Sequence, residues 1–446
     1  RDLGAPPIVS QRINSALIAT LAVLLCSGCG QSSSDNKKTA DTDQSTDEWR
    51  HFEKVRFGME PYGDHTYAII GVKKGWFKEV GIDLEYRCVK IDDVVPFLES
   101  ETLDVASCPP AFLYSSHENS PDLITFVLGD LFKGFGIMAQ PAGHYKSYKE
   151  FLKEGKPPAE AVKAAVGQMR GKTFAYPAET AIKPFIELAL KNGGLKHDDF
   201  TALVLDDPLT INAMRQKRAD FQVGGAPSRI VLQREGCNCI LSSDDLAAAA
   251  KPSPDSPELA SVLEDGWATK RKYFDAHHDT ILRLASVNFR IIDFMNNHQQ
   301  EALELHMPYL SQVTGQKFSP EEGAIIYNDL DPFIGFNDQK QWFHNPKSTY
   351  YYRNLNGSIV NNFKSQGIYK KKPPTVDDVI VAGAVYDELV GLRDKAAAEL
   401  KQLRKAPPAD EEGQDLGIKL AQTYFDQFDY LDAEKLASKL VEKMKH

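Results

Sequence analysis

The sequence has no excess of positive charge and, beyond its first 30 residues, no apolar run long enough to cross a membrane. It carries 52 Lys and Arg against 62 Asp and Glu, a formal net charge of −10. This balance argues against a broad basic surface for nucleic acid or anionic lipid, so no nucleic-acid partner is expected. The hydrophobic fraction of 42% and the charged fraction of 26% are ordinary for a globular protein.

Several catalytic and metal-binding motifs are absent from the sequence. There is no G-x-S-x-G elbow, H-E-x-x-H pair, P-loop or G-x-G-x-x-G run. Cys237 and Cys239 are spaced C-x-C, which is not a typical zinc spacing, and His277-His278 lies among charged residues, as expected of a solvated helix face. We therefore expect no enzymatic activity, no cofactor and no metal. The remaining cysteines are expected to be thiols, although a disulfide is chemically allowed outside the cytosol.

Residues 13–29 have the pattern of a secretory leader. Arg12 precedes an apolar run that ends in small residues before Cys29, and the run is too short for a membrane span. The end of this apolar run, up to Cys29, resembles the lipobox of bacterial lipoproteins, with Cys26 where that family usually has Leu. The resemblance implies a signal peptide over residues 1–29, a lipid anchor on Cys29, and a location on the outer side of the cytoplasmic membrane or in the periplasm. The alternative is a plain signal peptide cut nearby. The polar tract that follows, residues 30–53, is expected to be a flexible tether.

The rest of the chain predicts an α/β protein. Roughly 400 residues are more than one core usually serves, so two lobes are expected. Short strands such as KVRFGM and IDLEYRCV alternate with helix patterns in units of about 25 residues, which indicates largely parallel sheets. A second α/β unit begins at Met169, after a charged, helix-prone insertion over residues 141–168. From Ala268 to about residue 306 the pattern predicts a long amphipathic helix, and residues 393–446 predict a helical tail.

Four segments, in this order, resemble a family of substrate-binding lipoproteins. They are KVRFGMEPYGDHTYAIIGVKKGWFKEVGIDLEY, LDVASCPPAFLY, MRGKTFAYPAETAIKPFIELALKNGGL and KRADFQVGGAPSR. They resemble the binding proteins of transporters for nitrate, taurine, alkanesulfonates and thiamine pyrimidine precursors. Gly225-Ala226 stands where that family often carries Trp-Glu, and the resemblance covers about residues 54–390.

The resemblance implies the two-lobed type II periplasmic-binding fold, in which each lobe is a mostly parallel sheet flanked by helices. Lobe 1 would comprise residues 54–139 and 240–392, and lobe 2 residues 140–239. The implied function is capture of a small organic molecule, such as a nitrogen heterocycle, by a monomer that delivers it to a permease and its ATPase. One alternative is a binding protein for sulfonate, taurine or nitrate. Another is a periplasmic sensor or interaction module, with the insertion and the tail making partner contacts.

Candidate ligand-binding residues lie in the loops that follow the strands. Ligands of open parallel sheets bind outside the carboxyl ends of the strands, and small residues there let backbone amides approach a ligand. The candidates are Glu60, Tyr62, Asp64, His65, Ser107, Cys108, Pro109, Tyr176, Ala178, Glu179, Thr180, Asp206, Gly225 and Ala226.

Each candidate has a purely structural alternative. Tyr62 and Tyr176 either stack on a ring of the ligand or fill their loops. The acidic residues either cap helices or face the cleft, and in the second case they favour an amine or a protonated heterocycle. Arg229 either pairs with an anionic ligand or is a surface charge.

Overall fold

The computed structural model describes residues 52–250, 253–405 and 412–444. The predicted leader, Cys29 and nearly all of the tether lie outside the described residues. The described part contains ten strands: β1 (Glu53–Met59), β2 (Ile82–Cys88), β3 (Val105–Ser107), β4 (Leu123–Phe132), β5 (Gly136–Ala139), β6 (Thr173–Tyr176), β7 (Thr201–Val204), β8 (Phe221–Gly224), β9 (Asn238–Ser242) and β10 (Leu263–Lys270).

The strands form two five-stranded sheets, one in each lobe. The lobe 1 sheet has the order β2-β1-β3-β10-β4, and the lobe 2 sheet has the order β7-β6-β8-β5-β9. In each sheet four strands run in one direction and one strand, β10 or β5, runs against them. The predicted fold class, two lobes with mostly parallel sheets flanked by helices, is confirmed.

Helices cover the faces of both sheets. They are α1 (Ala68–Lys74), α2 (Trp76–Glu79), α3 (Val94–Glu99), α4 (Pro110–Ser116), α5 (Tyr148–Lys153), α6 (Pro158–Gly167), α7 (Lys183–Gly193), α8 (Asp207–Arg215), α9 (Ser228–Arg234), α10 (Ser243–Ala249), α11 (Arg271–Ala276), α12 (His278–Asn297), α13 (Gln299–Thr314), α14 (Pro320–Ile325), α15 (Gln339–Phe343), α16 (Tyr352–Ser365), α17 (Val376–Val379), α18 (Ala382–Lys405), α19 (Glu412–Asp426) and α20 (Tyr430–Lys443). Among the described helices, none is both long and apolar enough to cross a membrane.

The burial pattern explains why the central strands read as apolar runs. All ten residues of β4 are buried, as expected for a strand covered on both faces. The chain passes from β4 to β5 through residues 133–135, and it returns to the first sheet between β9 and β10. Because β5 and β9 both pair within the lobe 2 sheet, the chain enters lobe 2 before Gly136 and leaves it after Ser242. The boundaries expected from the sequence were Ala139 and Cys239.

One central strand, β10, was not predicted from the sequence. A long helix was expected to begin at Ala268, whereas β10 runs to Lys270 and the helical region begins only at Arg271. The letters of β10, LEDGWATK, include two acids and a glycine and show no apolar alternation. Nevertheless its first seven residues are buried. Gly266 is required there, because a Cβ atom would lie 2.0 Å from the carbonyl oxygen of Val127.

Both segments outside the resemblance pack against the rest of the chain. In the insertion, α6 buries Ala161, Val162, Ala165 and Val166 and packs against α7 of lobe 2. The predicted tail boundary at residue 393 falls inside α18, which continues to Lys405. Helix α20 packs on α18 and reaches α12 of lobe 1, where Arg283 and Asp432 form a buried ion pair of 2.9 Å.

Candidate functional site

Loops from the two sheets meet around one narrow cavity. Lobe 1 lines it with the loop after β1, the start of α4, the end of β4 and the start of β10. Lobe 2 lines it with the loops after β6 and β8 and the first residue of α8. The lining residues are Tyr62, Asp64, His65, Ile91, Pro109, Phe132, Phe135, Pro177, Glu179, Ala181, Ile182, Asp207, Gly224, Gly225, Ala226, Leu263 and Asp265.

Half of the sequence-predicted site residues line this cavity. They are Tyr62, Asp64, His65, Pro109, Glu179, Gly225 and Ala226. Gly225 leaves room for the lobe 1 wall, since a Cβ atom there would lie 2.8 Å from the ring of Phe132.

The other seven candidates lie elsewhere: Glu60, Ser107, Cys108, Tyr176, Ala178, Thr180 and Asp206. Glu60 and Ser107 are buried behind the cavity wall. Tyr176 is the last residue of β6, and its ring packs against Phe174 of the same strand, with centroids 5.1 Å apart. Asp206 is exposed, and the next residue, Asp207, faces the cavity instead.

Sequence reasoning missed several lining residues. Asp265 was missed because its strand was read as part of a loop and a helix. Phe132 and Phe135 were missed because they lie in the apolar crossover between the lobes, where their rings contact edge to face at 4.6 Å. An acid in an otherwise buried segment, as in LEDGWATK, is the signal that could have drawn attention to Asp265.

Five buried carboxyl groups lie in and behind the lobe 1 wall, and we call them the acidic cluster. They are Glu60, Asp64, Asp130, Asp265 and Asp331, each at most 4% exposed. Asp130 and Asp265 are direct partners across the antiparallel ladder of β4 and β10, where like charges normally destabilise a sheet.

Most oxygens of the acidic cluster receive no hydrogen bond from the residues around it, and Asp64 and Asp265 interact with each other. Both carboxyl oxygens of Glu60, Asp130, Asp265 and Asp331 are buried without a partner, as is Oδ1 of Asp64. Within residues 52–250, 253–405 and 412–444, no Lys or Arg forms an ion pair with any of the five. Burial raises the pKa of Glu60, Asp130, Asp265 and Asp331 well above the ordinary value, and neighbouring carboxyl groups, Asp64 among them, raise each pKa further.

His65 stands between the cavity and the acidic cluster. Its Nδ1 lies 2.7 Å from Ser107 Oγ, and its Nε2 lies 3.5 Å from Glu60 Oε2 and 3.6 Å from Asp64 Oδ2. Burial lowers the pKa of His65, and Asp64 partly opposes this effect. The neutral ring is therefore favoured despite its acidic neighbours.

The lobe 2 wall adds two more carboxyl groups. Burial, reinforced by Asp207, raises the pKa of Glu179 to about 8. Burial also raises the pKa of Asp207 to about 6, opposed by its hydrogen bond with Ser228. Acidic groups thus face the cavity from both lobes.

Arg229, for which the sequence left open an anion partner or a surface charge, does not line the cavity. Its Nη1 donates to the carbonyl oxygen of Gly134 at 3.2 Å, which holds the guanidinium against the crossover. The four described cysteines, Cys88, Cys108, Cys237 and Cys239, are free thiols, which confirms that prediction for the described residues.

Comparison with known proteins identifies the fold. The chain is similar to the periplasmic aliphatic sulphonate binding protein SsuA from Escherichia coli, at 12% identity and a TM-score of 0.53, over 73% of this chain and 91% of that one. It is also similar to the periplasmic nitrate-binding protein NrtA from Synechocystis PCC 6803, at 15% identity and a TM-score of 0.53, over 75% and 87%. A third is the ligand binding component of an ABC-type import system from Staphylococcus aureus with zinc bound, at 15% identity and a TM-score of 0.52, over 75% and 98%.

These structural similarities establish a shared fold, the periplasmic-binding architecture. A comparison with curated protein sequences gave no significant match. A family model matches residues 50–301, which is more than half of the chain. This protein is therefore a member of the NMT1-like family.

Proposed function

We propose that this protein is the solute-binding component of an ATP-driven importer and works outside the cytoplasm, held to the membrane through Cys29. The cavity between two lobes supports this function, as do the family and the structural neighbours named for sulphonate, nitrate and ABC-type import. The absence of nucleophile and cofactor motifs from the sequence is in keeping with binding rather than catalysis. Its partners are then a permease and an ATPase, and the protein acts as a monomer.

We propose further that the solute is a small cation built on a nitrogen heterocycle. The observation that carries this is the charge of the cavity: Asp64 and Asp265 face it from lobe 1, Glu179 and Asp207 face it from lobe 2, and its lining has no Lys or Arg. A sulfonate or nitrate would meet carboxyl groups with no cation to pair with. A protonated ring nitrogen or amine would form charge-assisted hydrogen bonds with them.

Aromatic side chains in the lining supply the rest of such a site. Tyr62, Phe132 and Phe135 offer ring faces or edges, which favour a flat heterocycle over a small inorganic ion. A cation held between Asp64 and Glu179 would contact both lobes. The closed form would then bind it more tightly than the open form, which is the condition for ligand-driven closure.

The sensor alternative receives less support. It rested on the insertion and the tail as partner surfaces, but α6 and α20 each bury an apolar face against other helices of this chain. Packing accounts for both segments without a partner.

The test is a thermal-shift and calorimetry screen on the purified protein after chelation of metal ions. The panel contains hydroxymethylpyrimidine, aminopyrimidine and thiamine as heterocycles, and taurine, an alkanesulfonate and nitrate as anions. We expect stabilisation by the heterocycles alone. Stabilisation by the anions alone would contradict the charge argument, and no response to any compound would contradict the import function.

A further inference from the structure

Three metal-ligating side chains converge in the lobe 1 wall of the cavity. Asp64 and His65 come from the loop after β1, and Asp265 comes from β10. One ligand atom from each lies within 4.8 Å of the other two, and all three residues are buried. In tetrahedral geometry two ligand atoms that are each about 2.0–2.2 Å from a zinc ion lie about 3.3–3.6 Å apart, so the three side chains would move closer together when they bind one ion.

The histidine is already oriented for coordination. Its Nδ1 is held by Ser107 Oγ at 2.7 Å, and this leaves Nε2 facing the carboxyl groups of Asp64 and Glu60. A hydrogen bond on the far ring nitrogen is the usual way in which proteins fix a ligating histidine.

Most carboxyl oxygens around this point receive no hydrogen bond from outside the acidic cluster and His65. Both oxygens of Asp265, both of Glu60 and Oδ1 of Asp64 are buried without a hydrogen bond, and each of the three residues is at most 4% exposed. Buried carboxylates are normally paired or bind a metal. In the part of the chain that the structure describes, no Lys or Arg forms an ion pair with them.

We propose that Asp64, His65 and Asp265 bind one divalent transition-metal ion of the zinc class, with Glu60 beside them as an additional carboxylate. One imidazole with carboxylates suits such an ion better than Mg²⁺ or Ca²⁺, which prefer oxygen alone. All three ligands line the cavity, so the ion has an open position towards the solute. The site goes beyond the proposed function. It shares Asp64 and Asp265 with the proposed solute site, so a bound ion would occupy two of the carboxylates with which a cationic solute pairs in the metal-free protein. It also replaces the expectation of no metal, which failed to consider Asp265 because that residue lies 200 positions after His65 in the sequence.

The test is a calorimetric titration of zinc chloride into the chelator-treated protein without any solute. We expect one zinc ion per chain in the wild type, and at least about 100-fold weaker binding in Asp265→Asn and His65→Gln, since a lost ligand should cost no less than a lost supporting residue. Asp130→Asn is the matched control, because it removes an equally buried carboxyl group of the acidic cluster that is not a ligand. Its affinity should fall far less than that of Asp265→Asn, because Asp130 lies opposite Asp265 and contributes charge but no ligand atom.

A spectroscopic measurement separates coordination from general attraction. X-ray absorption of the zinc-loaded wild type should show the scattering of one imidazole, and His65→Gln should lose it. Ser107→Ala supplies a second variant if His65→Gln fails to fold, and it should weaken zinc about 10–100-fold by releasing the ring.

Three results would overturn the site: no zinc binding by the wild type, equal weakening by Asp130→Asn and Asp265→Asn, or an imidazole signal that survives in His65→Gln. A negative titration leaves the heterocycle screen unaffected, because that screen is performed on metal-free protein. Failure of the screen likewise leaves the zinc titration standing.

Discussion

Two buried acidic regions of this protein are built in opposite ways. Where the C-terminal helices meet lobe 1, Asp432 is fully buried and pairs with Arg283 at 2.9 Å. In the acidic cluster beside the cavity, none of the five buried carboxyl groups forms an ion pair with Lys or Arg among the described residues. The first region contains a buried ion pair, whereas the second contains buried carboxyl groups that no such pair balances. We infer that the first serves stability and the second serves binding.

The largest expected effect comes from breaking the paired region. Arg283→Met removes one partner of the buried ion pair with Asp432, which should cost about 3–5 kcal/mol of unfolding free energy. Urea denaturation monitored by circular dichroism measures the cost. The control is Lys54→Met, which removes an ion pair with Glu85 whose side chains are 64% and 60% exposed and should cost less than about 1 kcal/mol. If both variants lost the same unfolding free energy, the buried ion pair would stabilise the fold no more than an exposed ion pair does.

The next effect is a pH dependence that arises in the cavity. Burial raises the pKa of Glu179 from its usual 4.5 to about 8. Below the lower value both the folded and the unfolded chain hold the proton. As the pH rises between the two values, only the folded chain still holds it, so this contribution to stability is lost progressively until about pH 8.

Glu179→Gln should remove that contribution. Between about pH 5 and pH 8 the wild type should lose about 2–3 kcal/mol more unfolding free energy than the variant, which is less than the full shift would give because Glu179 is partly in contact with water. Urea denaturation at several pH values tests this, with the exposed Glu160→Gln as a control that follows the wild type. Parallel curves for wild type and Glu179→Gln would show that Glu179 does not hold its proton.

Two tyrosines, Tyr62 and Tyr176, test whether the solute binds in the cavity. Tyr62 lines the cavity and Tyr176 does not, although the sequence suggested the same role for both. Tyr62→Ala should weaken binding of the best heterocycle about tenfold through loss of ring contact. Tyr176→Ala should leave the affinity unchanged. Calorimetry measures the affinity of both variants for the heterocycle. Equal losses of affinity would mean that the solute binds outside this cavity.

The sequence was sufficient to predict the lobes and half of the candidate site. Residues such as Tyr62, Glu179 and Gly225 follow strands with a clear apolar pattern, so the sequence shows where each strand ends. Because ligands bind outside the carboxyl ends of such strands, these residues could be predicted to lie at the site.

The missed residues share a physical reason. Asp265 lies in a strand whose acids and glycine suppress the apolar pattern, and these acids are tolerated in the core as part of the unpaired cluster. Of the adjacent acids Asp206 and Asp207 after β7, the pattern could not tell which one faces the cavity. The start of α8 turns Asp207, and not Asp206, towards it. An apolar sequence pattern identifies a buried strand well when its core residues are apolar. The pattern fails for a strand such as β10, in which buried residues are acidic.

The smallest effect tests whether the acidic cluster costs stability when no cation is present. Asp130 lies directly opposite Asp265 in the ladder, and both of its oxygens lack partners. In metal-free protein, Asp130→Asn should therefore raise the unfolding free energy by about 1 kcal/mol, since it removes one of two facing carboxyl groups. Urea denaturation of the chelator-treated variant measures the change, with Asp244→Asn as an exposed control. A loss of stability would mean that Asp130 is held by the fold as Asp432 is, and the comparison between the two regions would fail.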